Sequence, residues 1–123
     1  MAKILMSINP VHVEKILSGL KKYEYRKVKC RQPIDAIVIY STYPVMKVVG
    51  EVSVIEVLED SPKALWEKTK NEAGIDYSFF KSYYNDCEKA IAYKLEKVVK
   101  YKHVKKLVDY GIKTTPQSFV YIT

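Results

Sequence analysis

The segment Val48–Glu59 restricts the fold more than any other feature of this chain. It is nearly apolar, rich in β-branched residues, and carries Gly50 inside it. At about 12 residues it is twice the usual strand length of five or six. A long strand with an internal glycine predicts a bend or bulge, as at the corner of a barrel. Glu51 and Glu56 interrupt the apolar run. A membrane span needs about 20 apolar residues, so the segment predicts a strand and excludes a span.

The flanking pattern supplies the other elements. Lys3–Ile8 predicts a short buried strand. Asn9-Pro10 then offers a helix cap followed by proline in the first turn. Val13, Ile16, Leu17 and Leu20 continue at the spacing of one helical face, and Gly19 is placed to end that helix. His12 lies off this stripe and reads as a surface residue. Lys21–Val28 alternates with period two, with Lys22, Glu24 and Arg26 on one face and Tyr23 and Tyr25 on the other. Asp35–Thr42 is apolar on both faces, which predicts a central strand ended by Tyr43-Pro44. Ser61-Pro62 opens a second helix through Leu65, Trp66 and Thr69, closed by Gly74. Asp76 caps a third, with Phe79, Phe80, Tyr83 and Tyr84 as its apolar face. Ala90–Tyr101 returns to strand character. A loop containing Thr114-Thr115-Pro116-Gln117 leads into a last strand, Ser118–Ile122.

Strands and helices do not alternate regularly, which excludes a doubly wound sheet. The expected fold is α+β: a small, mostly antiparallel β-barrel with about three helices packed at its ends. The 123 residues form one domain, 1–123, without a linker or internal repeat.

The chain is 48% apolar and 28% charged, as soluble globular proteins are, which excludes a disordered or collagen-like chain. Its net charge is +7, and Arg26 and Arg31 are the only arginines among 21 basic residues. Lysine supplies charge without a fixed fork and suits loose phosphate contact, so a polyanionic partner is expected. The apolar stretch after Met1 is too short for a signal peptide, which predicts a cytoplasmic protein. Cys30 and Cys87 then read as free thiols. His12 and His103 are remote from them and from each other, so neither a metal site nor a cofactor is expected.

Three groups of residues could carry chemistry. Lys22, Glu24 and Arg26, preceded by Lys21, form either a binding face or a solvated ion-paired one. Lys94, Lys97, Lys100, Lys102, Lys105 and Lys106 are opposed only by Glu96 and interleaved with Tyr93 and Tyr101. This stripe could grip a nucleic-acid backbone, or it could be a solvated edge strand whose lysines prevent aggregation. Thr114–Phe119 could offer donors and acceptors to a base edge, or simply cap the barrel. No nucleophile-plus-base pattern and no glycine-rich phosphate loop is visible.

Several of these segments together resemble a known family. Ser7-Ile8-Asn9-Pro10, followed by Ile16-Leu17-x-Gly19-x-Lys21-x-x-Glu24-x-Arg26, is similar to the opening of ASCH domains in the PUA-like superfamily. The similarity continues through Val48-Val49-Gly50-Glu51, Leu65-Trp66, Ala73-Gly74-Ile75 and Pro116-Gln117-Ser118-Phe119-x-Tyr121. The resemblance implies an RNA-associated barrel with a cleft beside the first helix. The ligand-binding residues expected are Lys21, Lys22, Glu24, Arg26, Ser41, Gln117 and Ser118, with the six stripe lysines on the nucleic-acid backbone. In one ASCH branch, amidohydrolases that deacetylate N4-acetylcytidine carry a Lys-x-x-Thr motif. That motif falls on Lys21 and Glu24, so glutamate stands where those enzymes have threonine. Nuclease activity also occurs in the family.

The resulting expectation is a module that binds RNA or a modified nucleotide. The alternative is a hydrolase, amidohydrolase or ribonuclease, using the same cleft with Lys21 and Glu24 as catalytic residues. A third reading is a protein-interaction module presenting Phe79–Tyr84.

Overall fold

The computed structural model describes residues 2–122. Along the chain it runs β1 (Lys3–Ile8), α1 (Pro10–Leu17), β2 (Tyr23–Arg26), β3 (Ala36–Ser41) and β4 (Lys47–Asp60). Then follow α2 (Pro62–Thr69), α3 (Tyr77–Tyr83), β5 (Ala90–Lys105) and β6 (Phe119–Tyr121). The six strands form one curved sheet in the order β2-β5-β4-β3-β1-β6. β1 and β3 run parallel, from Lys3 opposite Ala36 to Ile8 opposite Ser41. The other four pairings are antiparallel. The result is a mixed half-barrel with three helices, an α+β fold as expected.

The bend expected of the long strand is present. β4 is 14 residues long. Its register breaks against β5 at three places between Val48 and Glu56, and against β3 between Ile39 and Tyr40. Gly50 is required by close approach. A Cβ there would lie 2.7 Å from the Val99 carbonyl oxygen and 3.2 Å from Leu17 Cδ2. Any side chain would push β5 and α1 off the bend.

α1 begins where the cap motif places it. The Asn9 side chain accepts from the Val11 N–H at 2.9 Å, and Val13 and Ile16 are buried. The helix ends at Leu17, earlier than the periodicity implies, because the chain turns at Gly19 with φ +82°. Leu20 consequently leaves the apolar face and is 64% exposed. β5 is longer than expected, continuing past Tyr101 to Lys105. It pairs with β2 only from Ile91 to Lys94. Leu95 N–H still donates to the Lys22 carbonyl at 2.9 Å, and beyond it no strand among the described residues pairs with that edge, so β5 is an inner strand for its first third and an edge strand after it.

Apolar side chains fill both faces of the sheet. Ile4, Met6, Ile37 and Ile39 pack with Val13 and Ile16 of α1. Tyr23 and Tyr25 pack with Leu65, Phe80 and Tyr84 under α2 and α3. Leu5, Val38, Tyr40 and Val48 form a third cluster with Tyr101 and Tyr110. Cys30 is buried and Cys87 half-buried; both are free and lie against different clusters. No helix among the described residues is long and apolar enough to cross a membrane.

Candidate functional site

Three charged side chains from the β2 segment meet inside the protein. Glu24 is 5% exposed and Lys21 is 3% exposed. Arg26 holds Glu24 Oε2 with two nitrogens, Nε at 3.0 Å and Nη2 at 2.9 Å. Lys21 Nζ lies 4.0 Å from Glu24 Oε1. Buried charges are costly unless they satisfy one another, and here the backbone completes the set. Lys21 Nζ donates to the Ala73 carbonyl at 3.2 Å and lies over the Tyr25 ring, 4.7 Å from its centroid. Arg26 Nη2 donates to the Ser7 carbonyl at 2.8 Å.

Two loops fix this arrangement from behind. The Ser7 hydroxyl donates to the Pro116 carbonyl at 2.7 Å, and the Ser7 N–H to the Ser118 carbonyl at 2.9 Å. The segment before β6 therefore holds the strand end that receives Arg26. On the other flank, Gly74 packs on Lys21 with φ +71°, where a Cβ would lie 2.5 Å from Lys21 Cβ. Lys15 Nζ ties the same loop down by donating to the Gly74 carbonyl at 2.9 Å.

The triad opens into a cavity of about 200 Å³ lined by Ser7, Asn9, His12, Tyr25, Ile75, Phe79 and Tyr83 besides the three charges. Phe79 and Tyr83 are one turn apart on α3, with rings 6° from parallel. The His12 ring meets Phe79 edge-on at 5.3 Å. One end of the cavity is thus charged and fixed, and its side is aromatic.

Burial sets the titration of the site. It lowers the Lys21 ammonium to about 8, a fall that Glu24 partly offsets. It also lowers the His12 imidazole, again against Glu24, with Lys21, Lys15 and Arg26 adding to the fall. It pushes the Tyr25 phenol up to about 12, and that hydroxyl is bonded to Thr69 Oγ1 at 2.7 Å. Near neutral pH the cavity therefore presents a lysine close to losing its proton, a neutral histidine and a fixed Glu–Arg pair. Such a set can bind a planar polar ring by its edge, and its lysine can accept or donate a proton.

The other residues expected at the site lie elsewhere. Lys22 is exposed and outside the lining. Ser41 is buried at the end of β3 and lines a separate hollow with Pro10, Leu17, Lys100 and Tyr101 across α1. Gln117 is exposed, and Ser118 meets the site through its backbone only. Among the stripe lysines Lys94 is half-buried, while Lys97, Lys100, Lys102, Lys105 and Lys106 are exposed. α1 separates the uncovered half of β5 from the cavity, since its Pro10 and Leu17 side faces Lys100 and its His12 side faces the triad.

His12 corrects the surface assignment. Apolar periodicity identifies only the face of α1 that meets the sheet, whereas α3 covers a second face. Ile75 and Phe79 were likewise not expected in the lining. The Ala73-Gly74-Ile75 segment was their available signal, because a glycine between apolar residues marks close backbone approach. Among the described residues no three His, Cys, Asp or Glu side chains stand close enough to hold a metal ion.

Fold and cleft together define a PUA-like half-barrel. Residues 6–102 match the ASCH domain, and the chain belongs to that family. The crystal structure of ASCH from Zymomonas mobilis superposes with a TM-score of 0.89 at 24% identity, covering 98% of this chain and 87% of that one. An ASCH domain-containing ribonuclease of Zymomonas mobilis is 30% identical over 95 residues, 74% of this chain and 62% of its own length. A protein of Ureaplasma parvum named ATP synthase subunit alpha is 28% identical over 120 residues, 97% of this chain. The present chain spans only 15% of that protein's length.

Proposed function

We propose that this chain binds RNA and takes one of its bases, unmodified or modified, into the cavity beside α1. The observation that carries the reading is the buried Lys21–Glu24–Arg26 group at the end of a slot walled by Phe79 and Tyr83. An aromatic wall stacks any base, at about 1–3 kcal/mol each. Glu24 accepts from a base amino group, while Lys21 and Arg26 donate to a ring carbonyl or nitrogen. Lys97, Lys100, Lys102, Lys105 and Lys106, exposed along the uncovered half of β5 and just beyond it, attract the phosphate backbone at longer range. The ribonuclease name of the Zymomonas relative supports RNA as the polymer.

A second reading, hydrolysis at the same site, is favoured by one feature. Lys21 is lowered to about 8, which places it where a general base operates. On this reading Lys21 takes a proton from water, and Glu24 orients it.

The test is to incubate the protein with total RNA and a mixture of modified nucleosides. Retained and converted species are then measured together by mass spectrometry, for the wild type, Lys21→Met and Arg26→Ala. Retention without conversion, lost in Arg26→Ala, is the expected result. Conversion lost in Lys21→Met would establish the hydrolase instead. Neither retention nor conversion would remove both readings and favour a protein partner.

A further inference from the structure

A second hollow of about 460 Å³ adjoins the base cavity and shares with it Asn9, His12, Ile75 and Phe79. Its remaining lining is Val11, Lys15 and Asp76. Asn9, His12 and Lys15 follow one another every three residues and bring their side chains to this one side of α1. We infer that this hollow is a phosphodiester subsite: Asn9, His12 and Lys15 hold the phosphate next to the base in the cavity. The ligand is then a strand rather than a free base or nucleoside. This rests on the base-binding reading above and adds to it the place where the strand's phosphate is held.

Two observations carry the inference. The first is His12. Its Nδ1 is shut off from solvent and has no hydrogen-bond partner among the described residues. A buried N–H without an acceptor is rarer than a buried acceptor without a donor, so the ring proton resides on Nε2. Nε2 has no partner among the described residues either, and it is not one of the buried polar atoms, so it is open to solvent where the ring lines the two adjoining hollows. Burial and the nearby cations keep the ring neutral, which leaves one N–H donor facing outward.

The second observation is the unspent donors beside it. Asn9 uses its Oδ1 for the Val11 N–H and has its amide hydrogens available. Lys15 commits one ammonium hydrogen to the Gly74 carbonyl and has two further hydrogens to give. The lone anion in the lining opposes a phosphate, but it is engaged elsewhere. Asp76 accepts from the Phe79 N–H at 2.8 Å as the cap of α3, which draws its charge toward that helix. A phosphodiester supplies what the three donors lack, namely two unsubstituted oxygens carrying one negative charge.

The experiment uses a random mixture of ribodinucleoside monophosphates, together with the nucleosides obtained by fully digesting and dephosphorylating the same mixture. The bases are identical in the two probes, and the variant compared with the wild type leaves the β5 lysines in place. Affinities are compared for the wild type and for His12→Phe/Lys15→Gln. That double variant keeps a ring against Phe79 and a donor for Gly74. For the wild type, the dinucleotides are expected to bind at least tenfold more tightly than the nucleosides. In the variant that ratio falls below threefold. Equal affinities in the wild type, or an unchanged ratio in the variant, would overturn the subsite and leave the base cavity standing. Binding of neither probe by the wild type would overturn the base cavity, and the subsite with it.

Discussion

Gly74→Ala isolates the contact that holds Lys21 in place. Gly74 has φ +71°, and an added Cβ would lie 2.5 Å from Lys21 Cβ, 2.8 Å from Cγ and 2.9 Å from Cα. Gly19 has φ +82° and nothing within 4 Å of its Cβ position, so it serves as the control. Both substitutions incur the left-handed backbone cost of about 1–2 kcal/mol. Only Gly74→Ala adds overlap with a backbone atom that cannot rotate aside, and forced shifts of that kind cost about 1–3 kcal/mol more. For a chain of this size about 1 kcal/mol shifts the melting temperature by roughly 3–6 °C. Circular dichroism melts should therefore put Gly74→Ala at least about 3 °C below Gly19→Ala, with urea titrations giving the same order. RNA retention should fall in Gly74→Ala and persist in Gly19→Ala. Equal loss of stability in the two variants would refute the packing of Gly74 on Lys21.

Other consequences follow from the same geometry. Lys21 is lowered from 10.5 to about 8, so the folded state binds fewer protons than the unfolded state between those values, and stability rises with pH across that window. The full rise is about 3 kcal/mol; urea unfolding of wild type against Lys21→Met should show it only in the wild type, the tyrosine titrations cancelling in the difference. Arg26→Ala leaves the buried Glu24 with only the distant Lys21 and should destabilise by about 3–5 kcal/mol. A second Glu24→Gln change in that background should recover part of the loss in thermal melts. Replacing the exposed Lys97, Lys100 and Lys102 by Gln should leave melting unchanged. It should also lower the salt slope of single-stranded RNA binding by about 0.7 for each phosphate no longer neutralised, and an unchanged slope would exclude the stripe from binding. Iodoacetamide should alkylate half-buried Cys87 in the native protein and buried Cys30 only after unfolding, as peptide mass spectrometry would read.

Much of the fold was legible because local signals and burial agree in it. The cap at Asn9, the proline after Ser61 and the Asp76 cap each start a helix where the sequence places it. Gly50 announced a bend that the register breaks of β4 display. The partner of each strand was not legible. The parallel pairing of β1 with β3 joins segments separated by α1 and β2, and nothing local encodes it.

The candidate site was legible in part for the same reason. Glu24 and Arg26 follow the period-two alternation, but Lys22 on that face is exposed whereas Lys21 is buried. Lys21 precedes the first residue of β2, so strand alternation does not govern it; its contacts with Ala73 and Gly74 do. His12 escaped because one hydrophobic stripe cannot reveal a helix covered on two sides. The length of β5 escaped because an edge strand exposed to solvent loses the apolar alternation that would mark it.

The central claim is that RNA meets this protein at the cavity of Lys21, Glu24 and Arg26. Amide and side-chain chemical shifts followed by NMR during titration with a short single-stranded RNA test it most directly. The expected result is saturable movement of Lys21, Glu24, Arg26, Phe79 and Tyr83, persisting when salt is raised enough to suppress shifts along β5. Shifts confined to the β5 lysines and abolished by salt would contradict the account.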